Sequence, residues 1–306
     1  MARMRALVAV GAMFGLAAGA SWAGGPEVPT KFTNNTSITE TRHNLTQRDN
    51  AGQVDAIQMD PYRNDYAEVC VYCHTPHGAS SALVAPLWNR TRKSTSYQTY
   101  DLLNTVTITQ TITTPGVNSL TCLSCHDGTT AVDSIINMPG SGNYDPAQET
   151  QNDDGAINTF LNGWTNPSGT EAVNHLKLQA GATGCLGCHA PGTLASSAQD
   201  FTIFAIGTDL RNDHPVGITF PTTNPDFNLT TGTSARGDIF FDLDGDSRMD
   251  KNEVRLYDTG EGPEVECASC HDPHGVESAG SGSQFNPTFL RVSNVGSGLC
   301  MTCHVK

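Results

Sequence analysis

Aromatic side chains are scarce in this chain of 306 residues, at 7%, and all hydrophobic residues together reach 37%. That is little with which to fill one large interior, so something other than side chains is expected to occupy it. Charge is also thin, at 16%, and positive charge thinner: 17 Lys and Arg stand against 31 Asp and Glu, a formal net charge of −14. Such a balance argues against nucleic acid as a partner. There is no helical heptad, no long amphipathic helix and no Gly-rich phosphate loop, which removes coiled coils and nucleotide-binding α/β folds. No stretch after the N-terminus is apolar enough to span a bilayer.

The N-terminus itself reads as an export signal over residues 1–23. Arg3 and Arg5 form its basic start, Ala6 to Ala20 its apolar middle, and Ser21-Trp22-Ala23 a small-residue cleavage site. The apolar run falls short of the roughly 20 residues a spanning helix needs. Cleavage before Gly24 removes two of the 17 basic residues and leaves 24–306 as a single exported domain with no membrane span.

What the chain does have is a strict cysteine pattern. All ten cysteines fall in five Cys-x-x-Cys-His units: Cys70, Cys73 and His74; Cys122, Cys125 and His126; Cys185, Cys188 and His189; Cys267, Cys270 and His271; Cys300, Cys303 and His304. Disulfides and zinc are rival uses of paired cysteines in exported proteins, but neither accounts for a histidine after every second cysteine. The pattern is that of covalent haem attachment, two thiols forming thioethers and the histidine taking one axial position on iron. Five haem c groups are therefore expected.

The ten histidines divide as evenly. Five belong to the motifs, and His43, His77, His175, His214 and His274 remain to fill the five distal positions. Met59, Met138 and Met249 are the rival sixth ligands and would raise the potential. His74 and His77 lie too close in sequence to reach opposite faces of one flat macrocycle, so His77 must serve a different haem, with Pro76 turning the chain away from a helix. Cys270-His-Asp-Pro-His274 repeats the arrangement.

Between the motifs, the alternation of Val106, Ile108 and Ile112 over 104–113 predicts a half-buried strand closed by Pro115-Gly116. The stretch 139–155 reads as loop by composition, His175 as part of a short helix, and 201–206 and 218–220 as short strands. Trp88 is either core or a packing partner for a porphyrin edge. Asp242, Asp244, Asp246, Asp250 and Glu253 occupy positions 1, 3, 5, 9 and 12 of a twelve-residue loop, 242–253, with the Arg248 carbonyl at 7 and Ser247 where glycine is usual. This is the ligand spacing of an EF-hand calcium loop, so calcium is the second expected cofactor, in a structural role. The fold expected is a haem-packed, mostly irregular coil with short helices at the CxxCH motifs, a few short β-strands and little conventional protein core.

These motifs resemble those of multihaem c-type cytochromes. More narrowly, Cys73 to Gly78, Ala85-Pro-Leu-Trp-Asn-Arg90, Asp213-His-Pro-Val-Gly217 and Glu266 to Gly275 resemble the exported multihaem cytochromes of metal-reducing bacteria, some of which polymerise into extracellular filaments. The resemblance implies electron transfer through bis-histidine haems at the cell surface or outside the cell, with other redox proteins or extracellular acceptors as partners. It also implies self-association in which His43 ligates a haem of the neighbouring subunit. A monomeric periplasmic electron shuttle is the alternative. A pentahaem nitrite-reductase-like enzyme is a third reading, disfavoured because such enzymes carry lysine in place of one motif histidine and an open distal face.

Overall fold

The computed structural model describes residues 37–46, 61–165, 172–193, 200–276 and 289–305; the export signal and Met59 lie outside them. Regular elements are short, and three of the four α-helices carry cysteine motifs. Helix α1 runs Val117–His126, α2 Asp154–Leu161, α3 Cys267–Cys270 and α4 Gly298–Cys303, and a single 3-10 turn covers Cys185–Gly187. Five strands of two to four residues, β1 Ile218–Thr219, β2 Gly232–Thr233, β3 Ile239–Phe240, β4 Arg255–Asp258 and β5 Pro263–Val265, form one antiparallel sheet in the order β1-β5-β4-β3-β2. Among the described residues no helix is long and apolar enough to cross a membrane.

Three small apolar clusters hold this coil-rich chain. Tyr66, Tyr72, Ile135, Met138, Leu161 and Trp164 form the first, so Met138 is a core side chain. Leu83, Trp88, Leu120, Leu123 and Leu210 form the second, with Cys73 packed against both. Phe220, Phe241, Val254, Leu256 and Val265 form the third on the sheet, backed by Cys303 and Leu299 of α4. Gly232 is required there: the Phe240 ring occupies the space its Cβ would need.

Several local expectations are overturned. Residues 104–113 form no strand; Ile112 is buried, Val106 is 95% exposed, and side chains take the place of a ladder: Thr105 Oγ1 accepts the Ile108 N–H, Asp101 accepts the Ile112 N–H, and Gln110 meets Thr219 of β1 through its amide. The stretch read as loop, 139–155, holds a 3-10 helix over Pro146–Thr150 and the start of α2. Asp145 and Asp153 cap these two, each accepting a backbone N–H two residues on, at 2.9 and 2.7 Å. Residues 202–204 are a 3-10 turn, not a strand. His175 sits in extended coil rather than a helix, because its ring is held by side chains remote in sequence.

Candidate functional site: five Cys-x-x-Cys-His anchors

Each anchor is one helical turn. The histidine N–H bonds to the carbonyl of the first cysteine at 2.8 Å in His74, 2.9 Å in His189 and His304, and 3.1 Å in His271, while the second motif lies wholly within α1. Residues i, i+3 and i+4 of a helical turn share one face, so two thiols and an imidazole are presented together. Burial pushes the thiols up, Cys73 and Cys303 to about 12 and Cys185 and Cys270 to about 11. Sulfur in these places is therefore neutral, as it also is in a thioether.

The histidines are oriented by their Nδ1 atoms. His74 Nδ1–H donates to the Pro86 carbonyl and His126 Nδ1–H to the Phe204 carbonyl, both at 2.7 Å. Of the spare histidines, His43 donates to the Pro273 carbonyl at 3.3 Å, His214 to that of Pro215 at 3.0 Å, and His274 to Asp272 Oδ1 at 2.9 Å. A carbonyl acceptor fixes the proton on Nδ1 and leaves the Nε2 lone pair for a metal, the usual outer-shell device of ligating imidazoles. Burial, with His126 alongside, pulls His43 down to about 4, and burial lowers His74 and His126 too. All three are neutral near pH 7, as ligands must be.

Two pairs face one another. The rings of His74 and His274 are 6.3 Å apart between centroids and inclined by 15°; those of His126 and His43 are 6.1 Å apart at 82°. Two metal–imidazole bonds of about 2 Å, plus about 1 Å from each nitrogen to its ring centre, give about 6 Å. The residues therefore fit an iron with imidazole on both faces. His274 belongs to the fourth motif and meets the first, so the Cys-His-x-Pro-His segment ties two anchors together. His43 meets the second anchor of its own chain and stacks on Phe289 at 4.7 Å.

Other observations also fit bound haem. Trp88 packs edge-on to His74 at 5.5 Å, and its buried Nε1–H has no partner among the described residues, leaving a donor for a polar group beside the first anchor. Leu87, Ile203, Met301 and Val305 are exposed apolar side chains within a few residues of His74's partner Trp88, of the 201–204 turn and of the fifth anchor.

The remaining spare histidines are placed differently. His77 is exposed, and Gly78 beside it takes φ +61 under the Tyr144 ring, where a Cβ would lie 2.7 Å from the ring edge. His214 is also exposed. His175 is buried with both nitrogens engaged, Nδ1 at 2.7 Å from Asp133 Oδ2 and Nε2 at 3.1 Å from Asn162 Oδ1. None of the three is brought against an anchor histidine by these contacts. The ring beside His189 is Phe201, stacked at 3.9 Å, and that beside His304 is Phe227, at 4.7 Å.

The acidic loop closes on itself. Asp242, Asp244 and Asp246 bring carboxylate oxygens within 4.8 Å of one another. Glu253, 1% exposed, accepts the N–H groups of Leu243 and Asp250 at 2.8 and 2.9 Å. Ser247 adopts φ 64, so the turn that normally calls for glycine forms with a serine at some cost in strain.

Three contributors could not be read from the sequence. Arg90 is fully buried and bonds to the backbone of both the first and second motifs. Glu266, 1% exposed, accepts from Gly116 N at 2.9 Å and from the Ser119 hydroxyl, joining the start of α1 to α3. Ser119 Oγ in turn accepts from Cys267 N at 2.9 Å. Asp133 holds His175 and Asn64. The available signals were the place of Glu266 directly before Cys267 and of Arg90 at the end of the Ala85 to Arg90 segment; nothing in spacing marks a charged side chain as buried.

No protein-family model and no curated protein matches the chain.

Proposed function

We propose that this chain is an exported electron-transfer protein that binds five haem groups covalently through its CxxCH anchors and passes single electrons to other redox proteins or to acceptors outside the cell. The observation that carries the reading is the facing of His74 with His274 and of His126 with His43 at about 6 Å. Haem bound there supplies a one-electron iron couple. The chain supplies neutral imidazoles fixed in orientation through Nδ1, and a closed coordination sphere leaves little to rearrange when charge changes. Histidine on both faces, with no methionine ligand, favours low potentials. The loop 242–253 is proposed to bind calcium through Asp242, Asp244, Asp246, the Arg248 carbonyl, Asp250 and Glu253, and so to brace the sheet.

The contact of His43 with His126 in the same chain supports a monomeric carrier, whose second site is completed internally, over a filament in which His43 crosses to a neighbour. A nitrite-reductase-like enzyme needs an open distal face, and the two facing pairs speak against one at the first and second anchors.

Pyridine haemochrome assay of the purified protein should return five haems per chain, and reduced native protein should bind no carbon monoxide. A zero haem count, or extensive carbon monoxide binding, would overturn the reading. His43→Met should give one haem a methionine-type spectrum while the protein stays a discrete particle by electron microscopy. Filaments in the native protein that are lost in this variant would instead restore the intermolecular role.

A further inference from the structure

Arg90 is the largest of the fully buried side chains, with 0% of its surface exposed. Its five N–H donors are all satisfied, and only by neutral acceptors. Nε donates to Ser124 Oγ at 3.0 Å, Nη1 to the carbonyls of Tyr72 at 3.4 Å and Val132 at 2.8 Å, and Nη2 to those of Ser124 and Ala131 at 2.9 Å. Tyr72 lies inside the first motif and Ser124 inside the second, so one guanidinium clamps both anchors. Among the described residues it has no ion pair, and with its donors spent it has none left for a carboxylate or a propionate. Arginine stays protonated in proteins, so the positive charge persists in a medium of low dielectric, where it acts strongly over several ångströms.

The fourth anchor offers a contrast. Arg291 is also buried and donates to the carbonyl of Ala268, inside that motif, at 3.0 Å, but Asp272 Oδ2 neutralises it at 3.1 Å. Near Arg90 the fixed negative charges are Asp127, which takes Tyr97 and Thr129 as partners, and Asp133, which takes Asn64 and His175.

We propose that Arg90 is an electrostatic positioning residue, whose buried, unpaired charge raises the reduction potentials of the haems held at the first and second anchors. Ferric iron gaining one electron to become ferrous loses one positive charge, and a nearby fixed cation favours that change. The inference rests on the five-haem reading. Spectroelectrochemical titration, with electrons supplied by an electrode, tests it on protein whose haem count has first been established. Arg90→Met should lower two of the five midpoint potentials by about tenfold in the reduction equilibrium, about 59 mV for one electron, whereas Arg90→Lys should leave them near the native values. Ser124→Asp, which pairs the charge while keeping the fork, should reproduce the fall and serves if Arg90→Met does not fold. Unchanged potentials in Ser124→Asp, or equal falls in the Lys and Met variants, would overturn the proposal while five haems are still bound. Absence of haem in the native protein would instead overturn the reading beneath it.

Discussion

The first two anchors and the third are built from the same five-residue pattern but rest in different surroundings. Around the first and second, Leu83, Trp88, Leu120, Leu123 and Leu210 pack together with Cys73, Arg90 bonds to both motifs, and a spare histidine already stands across from each anchor histidine. The third is a single 3-10 turn with Cys185 buried and Cys188 exposed. Gly184 precedes it and Gly187 lies within it, and their missing Cβ atoms let the chain fold tightly on Gln179 and Gly181. Its histidine stacks on Phe201, and the candidate ligand nearest in sequence, His175, is held by Asp133 and Asn162. Where side chains form a core, the paired imidazoles face one another across it. Where they do not, the five-haem reading requires the haem to supply the core.

The sharpest test of that contrast is protein prepared without haem. Hydrogen exchange should show α1 and the adjoining 131–138 segment still protected, and 183–193 with 200–206 exchanging at the unfolded rate; equal protection of both regions would erase the distinction. Within the better-supported region, Leu123→Ala removes a side chain with 0% exposure and should cost about 2–5 kcal/mol in denaturant unfolding of the holoprotein.

A somewhat smaller effect is expected at the seam between α1 and α3. Burial raises Glu266 from 4.5 to about 7, against the hydrogen bonds from Ser119 and Gly116. The folded state then holds this proton more tightly than the unfolded chain. Its contribution is fully present below pH 4.5 and is lost as pH rises through about 7, by up to ~3 kcal/mol. Glu266→Gln should flatten the stability profile between those limits, and an unchanged slope in the variant would show that Glu266 is not the titrating group. At the acidic loop, calcium should stabilise the sheet by ~2.7 kcal/mol at a free concentration 100 times its dissociation constant. A chelator should reverse this in the native protein and do nothing in Asp244→Ala.

Legibility from the sequence followed the range of the interactions. The five motifs were plain because residue type and spacing repeat within five positions. The acidic loop was plain because its carboxylates recur within twelve, and Ser247 takes φ 64 where glycine is usual. Residues 104–113 misled because alternation predicts a strand only if the backbone pairs with a partner, and here β1 is met by the Gln110 side chain instead. The 139–155 stretch misled because Asp145 and Asp153 act as helix caps, which composition counts as loop.

The sequence by itself determined that there are five anchors, five spare histidines and one acidic loop, since each is a matter of local chemistry and counting. Only the tertiary structure decided that His274 of the fourth motif faces His74 of the first, that His43 faces His126, and that Arg90 lies unpaired between two anchors. Those facts depend on side chains up to 200 residues apart being packed into one low-dielectric space, and no local pattern records which distant groups meet there.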